Sequence, residues 1–183
     1  MNCDAAIKII MIKSENEIEK SVMEAGLMQQ INSQFVLKCT CTFANQSGSQ
    51  FFIVMPFLRN GNLADFIKNN PSLTKKEIAE LFKCILNGII DMHAYNILHN
   101  DLKLDNILLS NGLTPVIGDL GLSRKLINQK SYLKDVGGAI LYSSPESMFG
   151  KAVKESDYFS AGMILLAMCC SDDGEIMMKC KYG

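Results

Sequence analysis

The chain has 183 residues, 48% of them hydrophobic and 20% charged. That is enough apolar side chain for a packed core, and it excludes a disordered chain. With 18 basic against 19 acidic residues the net charge is −1, which fits neither a general nucleic-acid binder nor a polybasic membrane anchor.

The longest apolar stretch, around residues 161–170, falls short of the roughly 20 residues that span a bilayer. Met1-Asn2-Cys3-Asp4 lacks the basic opening of a secretory signal, and Lys8 interrupts the apolar run behind it. The seven cysteines are odd in number and show no CxxC spacing, and neither His93 nor His99 sits in a metal-ligand pattern with them. They read as free thiols without structural zinc. Free thiols belong in a reducing compartment, which predicts an intracellular, cytoplasmic protein.

Residues 5–12 read as a short apolar strand with Lys8 as its odd charge. Ser14-x-x-Glu17 has the pattern of a capping box. It opens a helix to about Gln30, with Ile18, Val22, Ala25 and Met28 at three- and four-residue spacing. Residues 35–43 and 50–57 predict strands joined by a turn at Gln46-Ser47-Gly48-Ser49, and Asn60-Gly61 breaks the second. A short helix over 63–68 ends before Pro71. Thr74-x-x-Glu77 caps the longest helix, whose Ile78, Leu81, Phe82, Ile85, Ile89 and Met92 share one face. Beyond Tyr95 the pattern gives short strands over 97–100, 107–110 and 116–118. A long aperiodic loop over 121–145 follows, and such loops in compact domains usually carry function. A last apolar helix covers 157–170.

The chemistry concentrates in His99-Asn100-Asp101-Leu102-Lys103-Leu104-Asp105-Asn106. An acid in such a loop can accept a hydroxyl proton, a lysine beside it can neutralise a phosphoryl group, and an amide oxygen can bind magnesium. Gly118-Asp119-Leu120-Gly121 adds a carboxylate in a glycine-flanked turn, suited to a second metal contact where backbone approaches a ligand closely. Each residue also has a plainer reading. Aspartates are common in turns, a lone strand lysine often snorkels at the surface, and Met11, Met23, Met28 and Met55 suit core filling.

In their order and spacing these motifs resemble the eukaryotic protein kinase family, from about residue 5 to 170. The loop is similar to H-R-D-L-x-x-x-N with Asn100 in the arginine's place. Asp119-Leu120-Gly121 is similar to D-F-G, Ser144-Pro145-Glu146 to A-P-E, and Ala5-Ala6-Ile7-Lys8 to V-A-I-K. The resemblance implies an α+β, protein-kinase-like two-lobe fold in incomplete form. A small β-rich lobe lacking its first strands would occupy 1–55, a hinge 56–60, and the first part of a mostly helical large lobe, without its last helices, 61–183. It implies ATP and Mg2+ as cofactors and a serine or threonine hydroxyl of a protein substrate as acceptor, with no nucleic-acid or membrane partner.

The roles implied carry over residue by residue. Lys8 resembles the strand lysine that holds the α- and β-phosphates. Glu17, Glu19 and Glu24 compete as its helix partner; the spacing from Glu24 to Asn32, and Met28 one turn on toward Leu120, favour Glu24. Asp101 resembles the catalytic base, Lys103 the phosphate-neutralising lysine of the serine/threonine branch, and Asn106 and Asp119 the magnesium ligands. Met55 takes the gatekeeper position. Pro56, Phe57 and Leu58 would form the hinge whose backbone reads the adenine edge, with Ala6 and Leu108 sandwiching the ring. Asp157 resembles the helix aspartate that holds the catalytic loop's backbone.

The departures bear on rate and regulation. No glycine-rich loop precedes Lys8, since the first glycine is Gly26. Asn100 is neutral and cannot pair with an activation-loop phosphate, which argues against control through Ser123, Ser131 or Tyr132 by that route. Ala139 stands where serine/threonine kinases usually carry a threonine whose hydroxyl bonds the catalytic aspartate and lysine. Arg59 and Arg124 are the only arginines, so Glu146 is expected to lack its usual partner, and the helix over 157–170 to expose an apolar patch. These features predict a weakly active or inactive kinase-domain fragment. The competing reading is a pseudokinase or interaction module that binds a partner without catalysis.

Overall fold

The computed structural model describes residues 4–126 and 138–170. Its β-rich part comes first. Strand β1 (Ala5–Met11) pairs antiparallel with β3 (Gln50–Pro56), which takes β2 (Cys41–Ala44) on its other side. The two-residue period of β1 decides where its charge goes. Ala6, Lys8 and Ile10 turn to the half-buried face, and Ile7, Ile9 and Met11 to solvent. Helix α1 (Glu15–Gln30) buries Ala25, Leu27 and Met28 and carries Glu24 inward with them.

The helical part follows. Helix α2 (Leu63–Asn69) starts at Asn62, whose side chain accepts the Asp65 N–H. Helix α3 (Lys75–Ala94) opens on the full Thr74/Glu77 capping box and buries Ile78, Ile85, Ile89 and Met92. Two short antiparallel pairs hold the loops behind it: β4 (Ile97–Leu98) with β7 (Arg124–Lys125), and β5 (Ile107–Leu109) with β6 (Pro115–Ile117). Helix α4 (Pro145–Met148) leads into α5 (Lys154–Cys169), which packs along α3. Met28 of α1, Ile53 of β3, Ile89 of α3, Leu120 and Ile164 of α5 belong to one hydrophobic cluster. The sheet and the helices therefore share a core, and the loops between them are fixed from both sides.

Three local expectations are corrected. The Ser14 side chain makes no capping bond; the Glu17 carboxylate instead accepts the Lys13 N–H at 2.5 Å. Ser14 is exposed, where water competes for its hydroxyl.

The strand expected over 35–43 splits, and only its far end joins the sheet as β2. The backbone at 35–37 crosses to β6, with the Leu37 N–H on the Ile117 carbonyl at 2.7 Å and the Ile117 N–H on the Phe35 carbonyl at 2.8 Å. Val36, Leu37 and Cys39 are all buried. A segment covered on both sides reads as a strand in sequence whatever it pairs with.

The last helix begins at Lys154, and its expected apolar patch is absent among the described residues. Met163, Ile164, Ala167 and Met168 are buried, and Leu141, Tyr142 and Phe159 pack over the Met163–Ala167 side. Leu141 and Tyr142, from the segment ahead of α4, supply part of that cover.

Candidate active site

Lys8 is the first member of the site. Its Nζ donates to Glu24 Oε1 at 2.7 Å and to Asp119 Oδ1 at 2.8 Å. The β1 alternation aims the lysine inward, the α1 face brings Glu24, and the turn after β6 brings Asp119. That turn needs an unusual backbone: Asp119 has φ 53, a left-handed conformation that aspartate tolerates better than most residues. Burial opposes the Lys8 charge, but Asp119 and Glu24 outweigh it and hold the ammonium above its ordinary value. Burial also opposes the Asp119 charge, yet Lys8, with His99 and the Gly121 N–H, holds that carboxyl below the ordinary range. Of the competing glutamates, Glu17 is engaged with Lys13 and Glu19 is exposed.

The loop after β4 carries the second group. Asp101 is buried, and both of its oxygens are held. Oδ2 accepts from Lys103 Nζ at 2.8 Å and from Asn106 Nδ2 at 3.0 Å, while Oδ1 accepts the Ala139 N–H at 2.9 Å. The Asp101 carboxylate also holds the Lys103 ammonium above its ordinary value. Asn106 donates twice to Asp101, once to the carboxylate and once to the backbone carbonyl. Its amide oxygen is thereby left as the atom open to a cation.

Buried Asp157 of α5 anchors this loop. It accepts the His99 N–H at 3.0 Å, the Asn100 N–H at 3.1 Å and His93 Nε2 at 2.8 Å. His99 then joins the two groups, with Nδ1 accepting the Asp101 N–H and Nε2 donating to the Gly118 carbonyl at 2.9 Å.

The expected hinge residues follow from the end of β3. Phe57 is half exposed, and its N–H is engaged with the Asp4 carbonyl at 3.2 Å. Pro56 has no N–H, which leaves Leu58 as the other donor among Pro56, Phe57 and Leu58. Met55 lies opposite Ala6 in the sheet, and Leu108 lies opposite Val116 and against Gly118. A cavity of about 230 Å3 touches Lys8, Glu24 and Gly121. A larger one, about 460 Å3, lies away from this chemistry, between α2, Leu104, Tyr142 and the end of α5.

Sequence reasoning missed other partners. Glu146 has no arginine but accepts the Ser156 hydroxyl at 2.8 Å. Arg59 pairs with Asp4, and Arg124 donates to the Gly121 and Ser123 carbonyls. Ser123 is fully buried and donates to the His99 carbonyl. In this conformation its hydroxyl is closed to a modifying enzyme. Ser131 and Tyr132 lie outside the described residues. The Asn100 amide donates to the Leu122 carbonyl at 3.1 Å, a neutral tie to the segment that an arginine would address through phosphate. The Ala139 N–H left no trace in the residue types, because every residue but proline carries one.

Residues 1–174 match the family model of the protein kinase domain. The chain is 31% identical over 188 residues to calcium-dependent protein kinase 5 of Plasmodium berghei, an overlap of 97% of this chain and 33% of that one. It is 33% identical over 156 residues to human NUAK family SNF1-like kinase 2, covering 84% of this chain and 24% of the relative. It is 28% identical over 169 residues to serine/threonine-protein kinase cds1 of Schizosaccharomyces pombe, covering 88% and 36%. The chain thus spans about a third or less of the length of these curated relatives. With nearly all of its residues inside that family match, the chain belongs to the protein kinase domain family.

Proposed function

We propose that the chain transfers the γ-phosphoryl group of ATP to a serine or threonine hydroxyl of a protein substrate. The observation that carries the reading is the placement of Lys8 between Glu24 and Asp119. A solvated surface lysine has no reason to be gripped by two carboxylates from distant parts of the chain.

The residues present fit the family's nucleotide and metal. The half-exposed, ionised Asp119 and the spare amide oxygen of Asn106 are the sparse oxygen set that Mg2+ takes when phosphates and water complete its shell. Bound there, the metal would neutralise phosphate charge. Lys8 would hold the non-transferred phosphates, while Glu24 fixes its ammonium. The Leu58 N–H would meet the adenine edge, with Met55, Ala6 and Leu108 around the ring.

A carboxylate offers about four lone-pair positions. Asp101 Oδ2 already takes two donors, and Oδ1 takes one. The open position on Oδ1 is therefore where a substrate hydroxyl would hand over its proton. Lys103, donating to Oδ2, would stabilise charge on the phosphoryl group in transfer. Ala139 was one of the departures that favoured a non-catalytic module. It loses weight because a backbone donor reaches the same carboxylate.

The test is label transfer from γ-labelled ATP with Mg2+ to a panel of serine- and threonine-containing proteins. Transfer that disappears with Asp101→Ala supports the reading. Nucleotide binding without transfer, unchanged by that substitution, would move the pseudokinase reading ahead.

A further inference from the structure

We propose that Gly138 and the main-chain N–H of Ala139 are positioning elements for Asp101, doing with backbone what a side-chain hydroxyl does elsewhere. The proposal rests on the phosphotransfer reading of Asp101.

The Ala139 methyl group can offer no hydrogen bond, yet the Ala139 N–H lies 2.9 Å from Asp101 Oδ1. The donors on Oδ2 come from Lys103 and Asn106, and among the described residues this N–H is the donor on Oδ1, the face of the carboxylate that the reaction would use. The terminal torsion of an aspartate is broad. A donor on each oxygen is what holds the carboxylate plane in one orientation.

The N–H reaches Oδ1 because of Gly138. That residue has φ +147, a conformation that side-chain-bearing residues rarely adopt. A Cβ there would stand 2.6 Å from the Asn100 carbonyl oxygen and 3.7 Å from Asp101 Oδ1. The Asn100 contact cannot be relieved by rotating a side chain, since it is backbone. Asn100 is itself pinned, with φ 66 and its N–H on Asp157. On the far side, the Ala139 carbonyl accepts the Tyr142 N–H at 2.9 Å, the Ser143 N–H at 3.1 Å and the Ser143 hydroxyl at 3.0 Å. The turn before α4 therefore fixes residue 139, and the glycine lets it sit against the catalytic loop. A backbone donor of this kind is indifferent to the side chain at 139 and sensitive to the one at 138.

Two measurements on the full chain test this. The first needs no activity. In nucleotide-free, 15N-labelled protein the Ala139 amide proton is expected to move upfield and lose exchange protection in Asp101→Ala. An Ala139 amide that neither shifts nor exchanges faster would overturn the proposal. The second is kinetic. Gly138→Ala is expected to lower kcat roughly 10- to 100-fold, the scale of an ångström-size misplacement, with KM for ATP unchanged. Adding Ala139→Thr, whose hydroxyl can donate to the same carboxylate, is expected to restore part of kcat. An unchanged kcat in Gly138→Ala also overturns the proposal. If Gly138→Ala does not fold, the amide comparison still decides. If the unaltered chain transfers no phosphate, the phosphotransfer reading fails, and the amide shift separately reports whether the clamp exists.

Discussion

The ammonium of Lys8 meets the carboxylate of Asp119 at 2.8 Å across 111 positions of sequence. Together with Glu24, this contact fastens β1 to the turn that follows β6 and makes one charged group from three separate elements.

The pair gives stability a dependence on pH at both ends of the scale. The Lys8 value is raised above the ordinary 10.5, so its contribution is complete below that value and is lost as pH rises through the raised one. The Asp119 value is lowered from the ordinary 3.8, so its contribution is complete above that value and is lost as pH falls through the lowered one. Denaturation midpoints of the unaltered chain and Lys8→Met should differ most between these limits and converge toward both. A constant difference across the range would show that the contact is not coupled to titration.

Asp101→Asn keeps the size of the side chain and removes its basicity. Phosphotransfer is expected to fall by about 10²–10⁴-fold, the usual share of a positioned general base. Nucleotide affinity should stay within a factor of about two, because no phosphate or metal contact is assigned to this residue. Label transfer and equilibrium nucleotide binding measured on the same preparation check both halves.

Asp157 is the buried anchor of the loop that carries Asp101. Asp157→Ala leaves the His99 and Asn100 N–H groups and the His93 ring without their acceptor. A buried donor left unsatisfied costs about 1–3 kcal/mol. A loss of at least about 3 kcal/mol is therefore expected in chemical denaturation, with several donors affected. Asp157→Asn, which retains one acceptor oxygen, should lose less. Equal losses would mean that packing, not acceptance, is what the aspartate provides.

Three helix glycines look alike in sequence and should behave differently. Around Gly26 in α1 and Gly162 in α5 nothing lies within 4 Å of an added Cβ. Alanine at either should stabilise by up to about 0.8–1.0 kcal/mol through helix propensity. At Gly88 in α3 a Cβ would stand 2.7 Å from Ile117 Cδ1 and 2.9 Å from the Phe35 carbonyl. Overpacking of about 1–3 kcal/mol then outweighs the propensity gain, and Gly88→Ala should lower the denaturation midpoint.

By itself the sequence determined much of what depends on neighbouring residues, although the Ser14/Glu17 pattern formed no side-chain cap. The Thr74/Glu77 box, the apolar face of α3 and the β1 alternation that turns Lys8 inward are all set by spacing within one element. The spacing of Asp101, Lys103 and Asn106 likewise placed an acid, a cation and an amide in one tight loop. Tertiary structure alone decided which donors reach which acceptors across elements. Only there does residue 36 leave the sheet to bridge Ile117, does Glu146 find Ser156, and does the Phe57 N–H turn to Asp4. The Ala139 N–H on Asp101 belongs with these. Backbone donors are nearly identical along the chain, so their direction is fixed by the path of the fold and is written in no residue type.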